Sequence, residues 1–310
     1  MFHRPGPVVP LWRNPNFALL QVGQLLSTAG TESTTIAYPP LVLAVTRSPA
    51  QAGLVTFARL LPFGIFALPA GLAADRWNRK HLMIGADVVR AAGIATLAIG
   101  IIAGRAGVGA VLLAAFVEGS ATTFFSAAQA GAMRGVVSPR QLPAAAGAQE
   151  TRRAIVRLGG PPLGGALYGL GRALPFLVDA GSYLFSTFSL LAMRTPFQET
   201  RPPDPKPLQA QMAEGFRFLW GPPFLRTTAL LYGIGNFLVP ATLLVVVVTG
   251  SRQGLTSLQI GLLSAAVGAG TLVGSLASPV FRRALGVRAI LLMELWTWLG
   301  AWIFVIWPNA

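Results

Sequence analysis

The sequence predicts an all-α membrane protein, and three observations predict it. Only 11% of its 310 residues are charged, against 53% hydrophobic, with a mean hydropathy of +0.61. A soluble chain carries about a quarter charged residues. Apolar runs of the roughly 20 residues needed to cross a hydrocarbon core of ~30 Å recur nine times. The basic residues, finally, alternate between successive connectors rather than scatter. Barrel strands would be short and would alternate polar with apolar residues, which these runs do not.

The nine segments lie near residues 16–45, 51–74, 81–103, 107–132, 142–170, 173–193, 225–249, 258–281 and 287–307. Before the first stands "MFHRPGPVVPLWRNPNF", which lacks a short apolar core followed by a small-residue cleavage site, so this run is expected to be a retained helix. With the N-terminus in the cytoplasm, the cytoplasmic connectors carry Arg4, Arg13, Arg76, Arg79, Lys80, Arg134, Arg140, Arg194, Arg201, Lys206, Arg217, Arg226, Arg282, Arg283 and Arg288. The opposite loops carry Arg47, Arg105, Arg172 and Arg252. Basic residues hold loops on the cytoplasmic side, so this asymmetry orients the chain in a cell (inner or plasma) membrane. One connector is long. In residues 194–224, "TPFQETRPPDPKP" cannot continue a helix, and "LQAQMAEGFRFLWG" has the pattern of a short amphipathic helix on the membrane surface. The expected organisation is a six-helix bundle over 1–193, this linker over 194–224, and three further helices over 225–310.

A formal charge of +14 would suggest a nucleic-acid partner in a soluble protein, but here it is explained by topogenic loops, and none is expected. The chain has no cysteine and only two histidines, His3 and His81. It shows no P-loop and no metal-ligand cluster, so the sequence predicts no enzyme, metal or cofactor. Any transport would draw on an ion gradient.

Between the second and third segments stands "GLAADRWNRK". The pattern Gly71-x-x-x-Asp75-Arg76-x-x-Arg79-Lys80 resembles the signature loop of the major facilitator superfamily, at the same place between helices 2 and 3. "RNPNFALLQVGQLLSTAG" and "LMIGADVVRA" are similar to that family's helices 1 and 3, and "FLVDAGSYLFSTFSLL" to helix 6 of its exporter branch, which includes siderophore and multidrug efflux proteins. Asp75 is expected to close the second helix and accept hydrogen bonds at the start of the third, where the dipole favours an anion. Gly71 is expected to allow close packing, and Arg76, Arg79 and Lys80 to meet lipid headgroups. A purely topogenic loop would need neither Asp75 nor Gly71. The counterpart in the second half, "GSLASPVFRRALGVRA", keeps Arg282 and Arg283 without an acid.

In the fifth segment, Gly160-Pro161-x-x-Gly164-Gly165 resembles the helix-5 motif of the superfamily's antiporters, with Val156 where the fuller pattern has glycine. Proline bends a helix, and glycines let a neighbour approach.

A charge in hydrocarbon costs at least ~2.5 kcal/mol, so each intramembrane acid needs a partner or a watery path. Glu32, Asp87, Glu118, Glu150, Asp179 and Glu294 fall in or beside the apolar segments. Glu32 and Arg59 lie at similar depth and are candidates for a pair across the first hairpin, either static or coupled to proton movement. Glu118, at the middle of the fourth segment, is a second candidate for coupling or recognition, and Asp179 a third. Asp87 and Arg90, an i,i+3 pair, extend the charged cluster of the signature loop. Glu150 is expected to be structural or interfacial. Tyr38, Phe124, Phe125, Tyr232, Phe237 and Trp296 are candidates to line a cavity.

The resemblance implies a major-facilitator-type bundle, the first six-helix half plus three helices of the second. It implies a secondary transporter exporting small amphipathic molecules, drug-like or siderophore, in exchange for protons by alternating access. The alternative is a truncated or non-transporting membrane protein, because the family has twelve helices and nine are counted here. On that count, residues 1–310 alone are expected to insert but to transport little. Substrate identity and oligomeric state are not legible.

Overall fold

A computed structural model describes residues 10–193, Phe197, 208–266 and 268–270, with isolated residues from 273 to 297. The helices are α1 (Pro15–Thr46), α2 (Pro49–Arg76), α3 (Arg79–Ile102), α4 (Val108–Val136), α5 (Leu142–Leu170), α6 (Leu174–Ala192), α7 (Leu208–Trp220) and α8 (Pro223–Arg252). An apolar helix, α9, follows at Ser257–Gly270. Among the described residues there is no strand. The ninth expected segment, with Glu294 and the Arg282–Arg283 pair, lies almost wholly outside them.

Local chemistry sets the boundaries. The Asn14 side chain accepts from the amides of Asn16 and Phe17, and Pro15 occupies the first helical position, where its missing N–H costs nothing. Ser48 and Pro49 repeat this at the start of α2, after Arg47 ends α1 in the left-handed region at φ 55°. Asn78 caps α3 by accepting from Lys80 and His81.

α2, α3, α4, α6 and α8 are long and apolar enough to cross a membrane. α1 and α5 are as long, at 32 and 29 residues, but more polar, with Thr28, Thr31, Glu32, Thr34 and Thr35 on one and Arg152, Arg153 and Arg157 on the other. These two pack on each other, so the polar content of the bundle is gathered at one seam. Around it, α2 packs on α4, α4 on α3, α3 on α6 and α6 on α1. α7, running from Leu208 to Trp220, exposes Phe216, Phe218 and Trp220.

Apolar attraction between helices is weak in lipid, and close packing replaces it. A Cβ on Gly119 of α4 would run into the Arg59 carbonyl of α2, and one on Gly30 of α1 would lie 2.9 Å from the Asp179 Cα of α6. The buried side chains form two clusters. One, at the end bearing the α1–α2 turn (the upper end), holds Tyr38, Val42, Ile94 and Phe176. The other, at the lower end, holds Phe17, Met83, Phe125 and Leu190. A layer of buried charge lies between them.

Candidate functional site

α1 builds the site's hydroxyl ladder. Thr31, Thr34, Thr35 and Tyr38 recur at helical spacing and turn toward α2, α4 and α6. The hydroxyl of Thr35 donates back to the carbonyl of Thr31 at 2.7 Å, so its oxygen remains free to accept from outside the helix. Arg59 Nη1 of α2 donates to it at 2.5 Å. Thr34 donates to Asp179 Oδ2 of α6 at 3.0 Å. Thr31 and Tyr183 share a hydrogen bond of 2.8 Å.

At the centre stands Glu118 of α4, 1% exposed. Its Oε1 accepts from Arg59 Nη2 at 2.7 Å, Arg59 Nε at 3.2 Å and the Tyr183 hydroxyl at 3.2 Å. Its Oε2 accepts from the Tyr38 hydroxyl at 2.9 Å. Arg59 and Glu118 each lie ten residues from the upper end of their helix, about 15 Å at 1.5 Å per residue. The pairing expected between Glu32 and Arg59 is therefore not the one formed. Arg59 turns into the bundle toward α4, because Gly119 lets the two backbones touch. Arg59 also reaches a small cleft of about 30 Å³ shared with Tyr38 and with Pro240 and Leu244 of α8.

Asp179, fully buried, accepts from Thr34 and, at 3.3 Å, from Ser182, and has no ion pair among the described residues. Asp87 and Arg90 form a buried ion pair on α3. The Arg90 guanidinium lies 4.4 Å from the Phe125 ring centre and 4.3 Å from that of Tyr183, a sandwich that holds the cation in the core. Thus Phe125 packs rather than lines a path. Glu150 pairs with Arg153 at 2.7 Å on the exposed lower part of α5.

Glu32 stands apart. It is half-buried, lies about 21 Å below the upper end of α1, and has no ion pair within 4.0 Å among the described residues. Its Cβ packs where Gly160 of α5 carries only hydrogen; a Cβ there would sit 2.6 Å away. One turn along α5 is Arg157, exposed and about 20 Å below the upper end of its helix. The fields of Arg59 and Arg157 both act on Glu32. A guanidinium exposed at mid-depth is costly in hydrocarbon, so the α1–α5 seam is a polar one. Sequence reasoning passed over Arg157, although an arginine thirteen residues inside an apolar segment was signal enough. Tyr183 gave no comparable signal.

The helix-5 motif forms contacts on both sides. A Cβ at Gly164 would lie 2.5 Å from the Ser33 carbonyl oxygen of α1, and one at Gly165 would strike the Ser257 carbonyl of α9. Pro161 has no N–H, which leaves the Arg157 carbonyl without its helical donor. Gly268 of α9 packs there, with 2.5 Å between a built Cβ and that oxygen, while Gly261 meets the Pro161 carbonyl in the same way.

The signature loop is a clip at the lower end. Lys80 Nζ donates to the carbonyls of Met193 at 2.6 Å and Leu191 at 3.3 Å, closing the C-terminus of α6. Arg79 donates to the Ala74 carbonyl at 3.0 Å and to Asp75 at 3.4 Å, and its guanidinium fills the space left by Gly131 of α4. Two expectations differ. Asn78, not Asp75, caps α3, because Asp75 lies inside α2, which runs on to Arg76. A Cβ on Gly71 would meet nothing within 4 Å among the described residues. Arg76 is exposed. Phe124 lies on the outer side of α4, in a groove described below. Trp296 is exposed, and the side chains of Tyr232 and Phe237 lie outside the described residues.

Comparison with known proteins agrees with this architecture. A multidrug efflux pump, Tap, of Mycolicibacterium fortuitum is 30% identical over 307 residues, 93% of this chain and 72% of that protein. The enterobactin exporter EntS of Escherichia coli O1:K1 / APEC is 29% identical over 311 residues, 94% of this chain and 69% of its own. Among solved structures, a bacterial homologue of the lysosomal transporter Spinster superposes with a TM-score of 0.64 at 19% identity, over 86% of this chain and 63% of that one. A bacterial homologue of the iron transporter ferroportin gives 0.63 at 18% identity, over 90% and 70%. The chain thus spans about two thirds of the length of the proteins it matches. The transmembrane secretion effector family matches residues 6–305. The chain belongs to that family, within the major facilitator superfamily of membrane transporters.

Proposed function

We propose that the chain carries the cargo path of a proton-coupled exporter of small amphipathic molecules, working by alternating access in a cell membrane with its N-terminus cytoplasmic. The observation that carries this reading is Glu32: a mid-depth carboxylate at the polar α1–α5 seam, with no direct ionic partner among the described residues. Such a group exchanges a proton for a cationic or hydrogen-bond-donating cargo, because the two compete for the same oxygens. Glu118 is already held by Arg59 and two tyrosines, so it serves as the brace that fixes α2 and α4 against α1. Residues 1–193 then move as one body against the helices that follow 224, with the Gly165, Gly261 and Gly268 contacts between α5 and α9 as their sliding surface. The two relatives, a multidrug pump and an enterobactin exporter, support an amphipathic cargo.

The test is cargo flux in proteoliposomes under an imposed pH gradient, with ethidium as probe. Glu32→Gln is expected to abolish the gradient dependence while ethidium still binds. Undiminished gradient-driven flux in Glu32→Gln would overturn the assignment and move the coupling carboxylate to Glu118 or Asp179.

A further inference from the structure

A cavity larger than the cleft at Arg59 lies away from this site. A groove of about 730 Å³ opens on the outer flank of the bundle, lined by Trp77, Asn78, His81, Gly85 and Val89 on one side and by Phe116, Ser120 and Phe124 of α4 on the other. Phe66 of α2 packs on Phe116 and Phe124, with ring centres 6.4 and 6.1 Å away, and so fixes two of the lining rings. Ser120 spends its hydroxyl on the Phe116 carbonyl at 2.7 Å, so the interior presents carbon. The groove starts at the signature loop and ends at Val89 of α3 and Phe116 of α4.

Three features point to one occupant. From Asn78 to Val89 the groove rises about 16 Å at 1.5 Å per residue. Half of the hydrocarbon core is about 15 Å thick. The groove therefore spans one leaflet, from the headgroup level to the centre. Its mouth is polar and aromatic, with Trp77, Asn78 and exposed His81 at the level where amphipathic rings settle. Beside the mouth, Arg76, Arg79 and Lys80 stand against a single acid, Asp75, so the local field favours an anion.

We propose that this groove is a binding site for a single anionic phospholipid of the leaflet on the loop side. One acyl chain lies between α3 and α4, and the phosphate rests at His81 and the basic turn. The bound lipid wedges α3 against α4 beneath the clip formed by Lys80 and Arg79. This site is separate from the cargo path, since neither Glu118, held at the centre of the bundle, nor Glu32, packed on α5, lines it.

The chain in nanodiscs of phosphatidylcholine, doped with phosphatidylglycerol carrying a diazirine midway along one acyl chain, is photolysed and its peptides mapped by mass spectrometry. Adducts are expected to concentrate on Gly85, Val89, Val117 and Ser120 rather than on exposed positions elsewhere, such as Phe188 and Leu191. A Cβ on Gly85 meets open space, so Gly85→Phe fills the groove without a clash in the bundle, and groove adducts are expected to disappear. A phosphatidylcholine probe with the same chain is expected to label the groove less. Even labelling over all lipid-facing helices, or groove adducts that persist in Gly85→Phe, would overturn the site. Equal labelling by the two probes would overturn the anionic headgroup. Displacement of the adducts by ethidium, or crosslinking between two copies through this face, would replace the lipid with cargo or a second chain.

Discussion

Breaking the Arg59–Glu118 pair is the sharpest structural perturbation available. Glu118 is 1% exposed and the Arg59 side chain 19%, and together they make five hydrogen bonds in the core between α1, α2, α4 and α6. Removing one partner strands the other as a desolvated charge, which costs about 3–5 kcal/mol. Replacing both with apolar residues of similar volume is often near neutral. We expect Arg59→Met and Glu118→Leu each to lower the midpoint of thermal unfolding in detergent by about 6–20 °C, at 2–4 °C per kcal/mol for a unit of about 190 residues. The double variant should recover most of that loss, retaining only the orphaned Tyr38 hydroxyl as a cost of about 1–3 kcal/mol, since Tyr183 keeps its bond to Thr31. The assay is the fraction of monodisperse protein surviving a temperature series on a sizing column. A double variant as unstable as the two single losses added together would refute the reasoning, since independent sites add and coupled ones do not.

Other consequences follow from the same geometry. Gly164→Val should force α1 and α5 apart at Ser33 and lower the yield of folded protein by about 1–3 kcal/mol of overpacking, whereas Gly181→Ala, whose Cβ meets open space, should stabilise by about 0.5–1 kcal/mol; thermal midpoints decide both. Lys80→Met leaves the α6 carbonyls at Leu191 and Met193 without their cation and should increase amide exchange over 190–193 relative to the middle of α6. Cysteines introduced at Gly107 and Gln253 should react with an impermeant maleimide in intact cells, and one at Asn78 should not; labelling at Asn78 would reverse the proposed orientation. Asp75→Asn weakens the Arg79 contact and should slow transport without lowering insertion, read as flux per inserted molecule.

The membrane fold was legible because its signals are local: apolar length and the placing of arginines at segment ends need no knowledge of which helices touch. The depth of each charge was legible too, since it needs only a residue count and a rise per residue. Pairing was not. Glu32 and Glu118 both lay at a plausible depth for Arg59, and the choice between them is made by rotation about the helix axes. That rotation is fixed by Gly119, which brings α4 onto the Arg59 backbone, and by Gly160, which turns Glu32 toward α5. The clip at the signature loop was legible as a motif but not as a mechanism. Lys80 finds its acceptors on α6, more than a hundred residues away, and no spacing in the sequence announces that contact.

The central claim is that Glu32 exchanges a proton for cargo, and proton release on binding measures it directly. Purified protein in weakly buffered detergent, with a pH indicator, is mixed with saturating ethidium. The account predicts release of up to one proton per bound ethidium in the native protein and none in Glu32→Gln, which still binds the dye. Equal release by the native protein and Glu32→Gln would contradict it.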